Sequence, residues 1–587
     1  MIARALLTKS GSLLTGIPRA DVIALAVLLA LAITSWLPRI RGPIDLRWDA
    51  GVYYTLGTSL AEGKGYRLLN EPGEIKATQY PPLMPFFVAA HQLVLGTSDP
   101  TIVGRALRLS SFVLFVIYIL AIYVLARRCL PLGYSFGVAL VCLFNLYTHF
   151  MSDTCFPELA FALATVLFAL CHNKGGRFFP VVASITAVAA FALRTVAVSL
   201  LAAWVAEGLL KRKFKVAALR LALLLVVVVG WQFYIHSVET EPAYSQPAYA
   251  YQRADYLFYN VSYSRNVFLK DPFSTSSGRA SVMEMTRRAL SNFAQLPIRL
   301  GVAVTSDRNY WAAQRVAVNE SLGFTLVPWR FINAALVLLS LLILGGLAIQ
   351  LARREWVIPL YLLFSFTILN LTPWPEQFTR YFAPLAPFLV LSLFLALRTL
   401  SGVIRKIWPS RQKVTSAVLV GSVVSLILIE NGLTIVMTYQ SLHQKVEYVD
   451  QGAGTITYRL FFYNDAYRAL DSGLDWLKQR SGPGAVVATS LPHWTYLRTG
   501  LKAIMPPFET DPVRAQELLD SAPVTFIIRE RWLALDTRKY LSPVIQAFPE
   551  RWKLVYSDPI KDTSGKTLPE RLEIYQRVGP QETATKH

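Results

Sequence analysis

The chain has 587 residues, of which 54% are hydrophobic and 16% charged, with a net charge of +21. A soluble domain carries roughly 25% charged residues, so this composition excludes an ordinary soluble protein and points to a polytopic membrane protein. No nucleotide-binding glycine motif of the GxGxxG or GxxxxGK[ST] kind is present, which leaves an ATP-driven pump without support.

Taken from the amino terminus, eleven apolar blocks have about the length that crosses a hydrocarbon core as helix: Asp21 to Leu37, Leu107 to Ala126, Leu132 to His149, Pro157 to His172, Phe179 to Leu193, Val196 to Leu210, Val216 to His236, Phe331 to Leu351, Trp356 to Leu371, Tyr381 to Leu397 and Thr415 to Tyr439. No A-x-A cleavage site follows the first block, so it reads as an uncleaved span. Residues 38–106 between the first two blocks are too polar to span; residues 81–96, apolar after Pro81-Pro82, read with Asp49 to Glu62 as a pair of interface helices.

The tail, residues 440–587, reads as a soluble α/β domain, with helices over Asp465 to Gln479 and Arg514 to Leu519. Strands are expected at Ala485 to Ser490, Val524 to Ile528, Trp552 to Tyr556 and Leu572 to Tyr575. Residues 1–439 form the membrane domain. The four cysteines, Cys129, Cys142, Cys155 and Cys171, lie in or beside different spans without disulfide or metal-ligand spacing.

Orientation follows from cations in short loops. Arg127 and Arg128, Lys174 and Arg177, Lys211 to Lys215, Arg353 and Arg354, and Arg398 to Lys413 fall in alternate loops, all on the cytoplasmic side if the amino terminus is cytoplasmic. The positive charge is then topology and anionic-lipid contact, and needs no nucleic acid. The opposite face carries the 38–106 loop, a long 237–330 loop rich in tyrosine (Tyr244, Tyr249, Tyr251, Tyr256, Tyr259, Tyr263), and the tail. Those tyrosines read either as interface anchors or as sugar-stacking or lid residues. Asn260-Val261-Ser262 fits a glycosylation sequon by pattern alone.

Four charged residues stand out on that face. Asp49 follows the first span. Asp153 precedes the fourth, where it could instead cap a helix beginning at Pro157 and Glu158. Arg194 interrupts a nearly uncharged stretch, and Arg380 breaks the positive-inside trend at the mouth of a span. The bland reading of the arginines is snorkelling to the interface. Two outward acids and two outward arginines also suit a site that handles a proton and an anion.

The ordered set of Asp49 then Tyr53, Gly63-Lys64-Gly65-Tyr66, Tyr80-Pro81-Pro82-Leu83-Met84-Pro85, Ser152-Asp153, Arg194, and Arg380-Tyr381 with Pro384 and Pro387 resembles the C-type membrane glycosyltransferases. The nearest branch is that of the dolichyl-phosphate-mannose protein mannosyltransferases and bacterial aminoarabinose transferases. The resemblance implies an inverting transfer of a hexosyl or pentosyl group from a polyprenyl-phosphate donor to a lipid, glycan or protein acceptor at the outer face of a bacterial inner membrane. It implies Asp49 and Asp153 as catalytic acids, Arg194, Arg380 and Tyr381 around the donor phosphate, and Tyr53, Lys64, Gln79 and Tyr80 as donor or acceptor contacts. Two departures stand out: Ala50 follows Asp49 where relatives often carry a second acid, and Gln79-Tyr80 precede Pro81 where relatives of the aminoarabinose branch carry a base, leaving Lys64 and Lys76 as substitutes. No cofactor is implied; two carboxylates could hold a divalent ion, but no His or Cys cluster supports a metal. The alternative is a transporter or lipid flippase, which calls for midplane charge. Here the middles of the spans are clean but for Glu430.

Overall fold

The computed structural model describes residues 18–579 except 177, 324–327, 408–411, 442–445, 451–453, 533–534 and 563–564. Arg177 and part of the Arg398 to Lys413 loop therefore lie outside the described residues.

Each of the eleven apolar blocks contains helix, but not each is a full span. Among the described residues six helices are long and apolar enough to cross a membrane, or seven if Leu132–Phe144 and Leu146–Asp153, bent by 55°, count as one. The expected eleven is not reached, because Glu158–Cys171, Phe178–Leu193, Thr195–Leu210 and Val357–Leu369 are shorter. Hydropathy registers the apolar run but not the residues that clip it. Arg194, extended at φ −148°, ends one such helix and opens a 3₁₀ turn. Asn145 breaks the bent pair: its side chain accepts from the Tyr147 N–H at 3.1 Å and donates to the carbonyl of Thr305 at 3.1 Å, so its own backbone leaves the helix.

The two ends of this bundle differ in chemistry. At one end Arg398 donates to the Cys129 carbonyl at 2.7 Å, and Arg128 and Arg353 also act on that cysteine. This brings three of the cationic loops together. Arg128 also reaches the Ala169 carbonyl, near the last turn of Glu158–Cys171. The other end of that 14-residue helix, about 21 Å away at 1.5 Å per residue, begins with Glu158 and carries mixed charge.

In the 38–106 segment the helix Asp49–Ala61 is not an amphipathic interface helix as expected, since Ala50 through Ser59 are all buried. Leu83–Leu95 keeps the expected character, with Phe86, Leu93 and Val94 exposed to the surroundings.

The tail contains a hairpin of β1 (Val446–Asp450) and β2 (Gly454–Tyr458), and a mixed sheet of β3 (Val486–Ala488), β4 (Lys502–Ile504), β5 (Phe526–Arg529), β6 (Trp552–Lys561) and β7 (Thr567–Arg577). The sheet order is β4-β3-β5-β7-β6, with β4, β3 and β5 parallel and β7 antiparallel to both neighbours. The expected helices and strands are present. The hairpin, β4 and the helices Pro492–Thr499 and Arg538–Ala547 are additional. The short β4 pairs at one edge of the sheet, and its Ala503 also bonds backbone to side chain with Asn70 at 2.9 Å, so a partner distant in sequence helps to fix it.

The tyrosines of the long loop are core residues. Tyr249, Tyr251, Tyr256 and Tyr259 pack with Leu68 and Ala77 of the first loop and Val486, Ile504, Met505 and Phe508 of the tail. For these four the interface-anchor reading is overturned. Asn260 is 3% exposed and donates to the Gln252 carbonyl, so the sequon is closed to modification.

Candidate active site

Asp49 opens the helix Asp49–Ala61, where a carboxylate is favoured by the unsatisfied N–H groups of the first turn. Trp48 before it adopts φ 57° and ψ −137°, a conformation costly for a residue with a Cβ. Tail residues hold it there. The Trp48 indole donates to the Tyr467 hydroxyl at 2.7 Å, and its ring meets Trp532 edge-on at 5.9 Å. Three residues on, Gly51 lies so close to the tail that a Cβ would sit 2.8 Å from that of His493. The tail thus presses the first turn of this helix into place and aims Asp49.

Around Asp49 the sequence-predicted arginines converge on a carboxylate that sequence reading had taken only for a first-turn helix residue. Arg380 donates through Nη2 to Asp49 Oδ2 at 2.7 Å and through Nε to Glu158 Oε1 at 2.7 Å. Arg194 donates to that same Glu158 oxygen at 2.5 Å. Glu158 is 1% exposed, and its second oxygen has no hydrogen-bond partner among the described residues. The guanidinium groups are braced by aromatic rings: Arg380 lies 4.1 Å over Phe156, and Arg194 lies 5.8 Å over Tyr381. The four charges balance, and Asp49, Arg380 and Arg194 keep 18%, 16% and 23% of their side chains exposed. The pairs are therefore partly open, not sealed.

Aromatic groups wall this quartet. Tyr53 meets Tyr80 edge-on at 5.0 Å, and Tyr259 reaches Asp49 Oδ1 at 3.3 Å. Burial pushes the hydroxyls of Tyr53, Tyr80 and Tyr259 well above the usual phenol range, so all three stay protonated. His493 packs edge-on to Tyr259 at 4.8 Å and lies within electrostatic reach of Asp49. Burial pushes its imidazole down to about 3 even though Asp49 pulls the other way, so it is neutral. Its Nε2 is buried with no hydrogen-bond partner among the described residues.

Of the residues predicted from sequence, Asp49, Arg194, Arg380, Tyr381, Tyr53 and Tyr80 come together. Asp153 does not join them. It is 1% exposed, paired with Arg108 at 2.9 Å and Arg39 at 3.3 Å, and accepts from the Phe461 N–H of the tail. It does not cap the next helix, whose first turn receives no side-chain cap. Lys64 pairs with Glu62 on the surface and Lys76 with Glu241, and neither pair includes a member of the quartet. Gln79 is buried, its Oε1 unpartnered among the described residues, and no bond ties it to the quartet. Glu430 is held by Ser306 and by Thr434 at 3.1 Å, and none of these bonds reaches the quartet. Sequence reading missed Glu158 and His493. An acid in an apolar block could have drawn attention to the first, but nothing local marks the second.

Among the described residues no group of three or more His, Cys, Asp or Glu side chains is placed to hold a metal ion. Asp49 and Glu158 are each bonded to a guanidinium.

Comparison with known proteins places this arrangement in a fold. The AglB oligosaccharyltransferase of Archaeoglobus fulgidus, in complex with an inhibitory peptide and a dolichol-phosphate, superposes with a TM-score of 0.50 at 12% identity over 96% of this chain and 74% of that one. ArnT of Cupriavidus metallidurans bound to undecaprenyl phosphate gives 0.49 at 12% identity over 95% and 99%. No protein-family model matches the sequence, and no curated protein matches it. The likeness is one of fold: the chain has the fold of the C-type membrane glycosyltransferases and is an integral, multi-pass membrane protein.

Proposed function

We propose that the protein is a glycosyltransferase that moves a sugar from a polyprenyl-phosphate donor to a hydroxyl acceptor. The observation that carries this reading is the single guanidinium of Arg380 bridging Asp49 and Glu158, with Arg194 on the same Glu158 oxygen. Two arginines side by side at a partly open helix end suit phosphate oxygens, which a guanidinium meets in bidentate geometry. A carboxylate beside them suits a base. The dolichol-phosphate bound to AglB is a ligand of the same chemical class.

In the proposed reaction the acceptor oxygen attacks the anomeric carbon while Asp49 takes its proton. The bond from that carbon to the phosphate oxygen breaks, and the polyprenyl phosphate leaves against Arg194, Arg380 and the Tyr381 side of the site. Attack opposite the leaving group inverts the anomeric centre. Tyr53 and Tyr80, as protonated phenols, offer donors to sugar or acceptor. The base role falls to Asp49 alone, since both oxygens of Asp153 are occupied in a buried ion cluster.

The site is proposed to face the periplasm, because the cationic loops gather at the opposite end of the bundle. With exposed positions replaced, Thr510→Cys should react with an impermeant thiol reagent on intact cells and Lys213→Cys should not. Function itself is tested by mass spectrometry of membrane lipids and surface glycans from cells lacking the gene, restored with wild type or with Asp49→Asn. One glycan or lipid should lose a sugar in the deletion and regain it only with wild type. Full restoration by Asp49→Asn would remove the proposed base.

A further inference from the structure

We propose that Asp49 and the donor phosphate compete for the same nitrogen of Arg380, so that arrival of the phosphate releases the base. This rests on the transferase reading above and concerns how its two halves are coupled.

The geometry sets up the competition. A guanidinium has two edges that can meet a phosphate with two parallel hydrogen bonds, one formed by Nε with Nη2 and one by Nη1 with Nη2. Both include Nη2. Nη2 is the nitrogen that holds Asp49, while Nε holds Glu158. A bidentate phosphate on the lateral edge must therefore take the Nε hydrogen from Glu158 and crowd Asp49, and one on the outer edge must share Nη2 with Asp49, anion beside anion.

Charge points the same way. Asp49 and Glu158 offset Arg380 and Arg194 in number, two carboxylates against two guanidiniums. A phosphate arriving there adds negative charge beside two carboxylates and repels both. The groups facing Asp49 from the surrounding elements are Arg380, the hydroxyls of Tyr53, Tyr80, Tyr259 and Tyr381, and the neutral imidazole of His493. Only Arg380 among them is a cation, so a phosphate that draws on Arg380 leaves Asp49 with the Tyr259 hydroxyl and the N–H groups of its own first turn. Asp49 is then released towards the acceptor hydroxyl at the moment the leaving group is in place. Glu158 stays behind as a positioning residue: buried and bonded to both arginines through one oxygen, it keeps the two guanidiniums adjacent while the exchange occurs.

The test is titration of the full-length, detergent-solubilised protein with undecaprenyl phosphate by calorimetry. If the exchange operates, the carboxylate of Asp49 weakens phosphate binding in wild type. Asp49→Asn, which no longer competes as a charge for Arg380, should bind roughly tenfold more tightly, the factor for one charge-assisted hydrogen bond. Asp49→Ala should behave likewise and serves if the first variant gives no folded protein. Arg380→Ala should bind weakly or not at all. Equal or weaker binding by both Asp49 variants would overturn the exchange while leaving the phosphate site standing. Undiminished binding by Arg380→Ala would overturn the phosphate reading itself, a different and separable result.

Discussion

Two regions of this molecule are built from the same parts and behave differently. One is the set of Asp153 with Arg39 and Arg108; the other is Asp49 and Glu158 with Arg194 and Arg380. In the first, all three side chains are 0–1% exposed. Arg39 is further closed in by Trp36 at 4.7 Å and Phe461 at 4.9 Å, and by the ring nitrogen of His149 at 2.9 Å. In the second, three of four side chains keep 16–23% of their surface, and one carboxylate oxygen is left without a partner among the described residues. Residue type thus does not separate a fastening from a site. Closure does, because a sealed ion pair has already given up its water to hold the fold, whereas an open one can still exchange a partner.

The sharpest way to break this comparison is to remove one carboxylate from each set. Taking away one partner of a buried pair leaves charge uncompensated, at a cost of about 3–5 kcal/mol. Asp153→Asn strands Arg39 and Arg108 and loosens the Phe461 attachment of the tail, so its thermal midpoint in detergent should fall by far more than that of Asp49→Asn. Equal losses would mean that closure has been misjudged as the distinguishing feature.

Asp49→Asn should show the reverse pattern. Removing proton acceptance at one atom typically costs about 10²-fold or more in turnover, and the variant keeps shape and hydrogen bonding at the helix start. Transfer of labelled sugar from a polyprenyl-phosphate donor, measured on purified protein beside its thermal midpoint, checks both halves. Activity within a few-fold of wild type would dissolve the functional side of the comparison.

Much of the second set was legible because its residues break a pattern. Arg194 and Arg380 are cations where the positive-inside trend expects none, and Asp49 follows the first span in a motif order that resembles a known family. Asp153 breaks the pattern in the same way, so sequence reading could not rank it below Asp49; the difference lies in Arg39, Arg108 and Phe461, which only folding brings to it. Glu158 stayed hidden because a first-turn acid has an adequate local explanation. The helices were legible from hydropathy, but their lengths were not, since Asn145 and Arg194 end helices through contacts and backbone conformation that an apolar average does not register. The tyrosine-rich loop stayed open between interface anchors and sugar-stacking or lid residues because its partners, Ile504, Met505 and Phe508, lie in the tail.

The arginines sharpen the comparison further. If Arg194 and Arg380 hold phosphate, replacing either by Ala should weaken binding of undecaprenyl phosphate by about 1.5–3 kcal/mol, the range for hydrogen bonds to charged groups. Lysine should recover only part, because Arg380 spans two carboxylates through two nitrogens and an ammonium cannot. Lysine variants that bind as wild type does would restore the snorkelling reading and make the second set as structural as the first.

The smallest expected effect concerns the tail's contribution to the open set. His493 is held neutral with its imidazole pushed down to about 3 by burial, against roughly 6.5 in an unfolded chain. Between these values the unfolded chain binds a proton that the folded chain refuses, so the contribution is fully present above about 6.5 and is lost as pH falls towards 3. At pH 5 the loss amounts to about 2 kcal/mol, from roughly 1.5 pH units at 1.36 kcal/mol each. Buried carboxylates such as Glu71 and Glu530, whose burial raises them, respond with the opposite sign, so the informative quantity is a difference between proteins. Denaturant midpoints of wild type and His493→Asn at pH 7.5 and pH 5 supply it: the wild type should lose more on acidification, and the variant should be spared that part. Identical acid losses would mean that the imidazole finds a proton-stabilising partner in the folded state. Among the described residues Asp49 is the carboxylate that pulls on it, so that result would also place Asp49 closer to His493 than to Arg380 in solution, and would reopen which group holds the base before the donor binds.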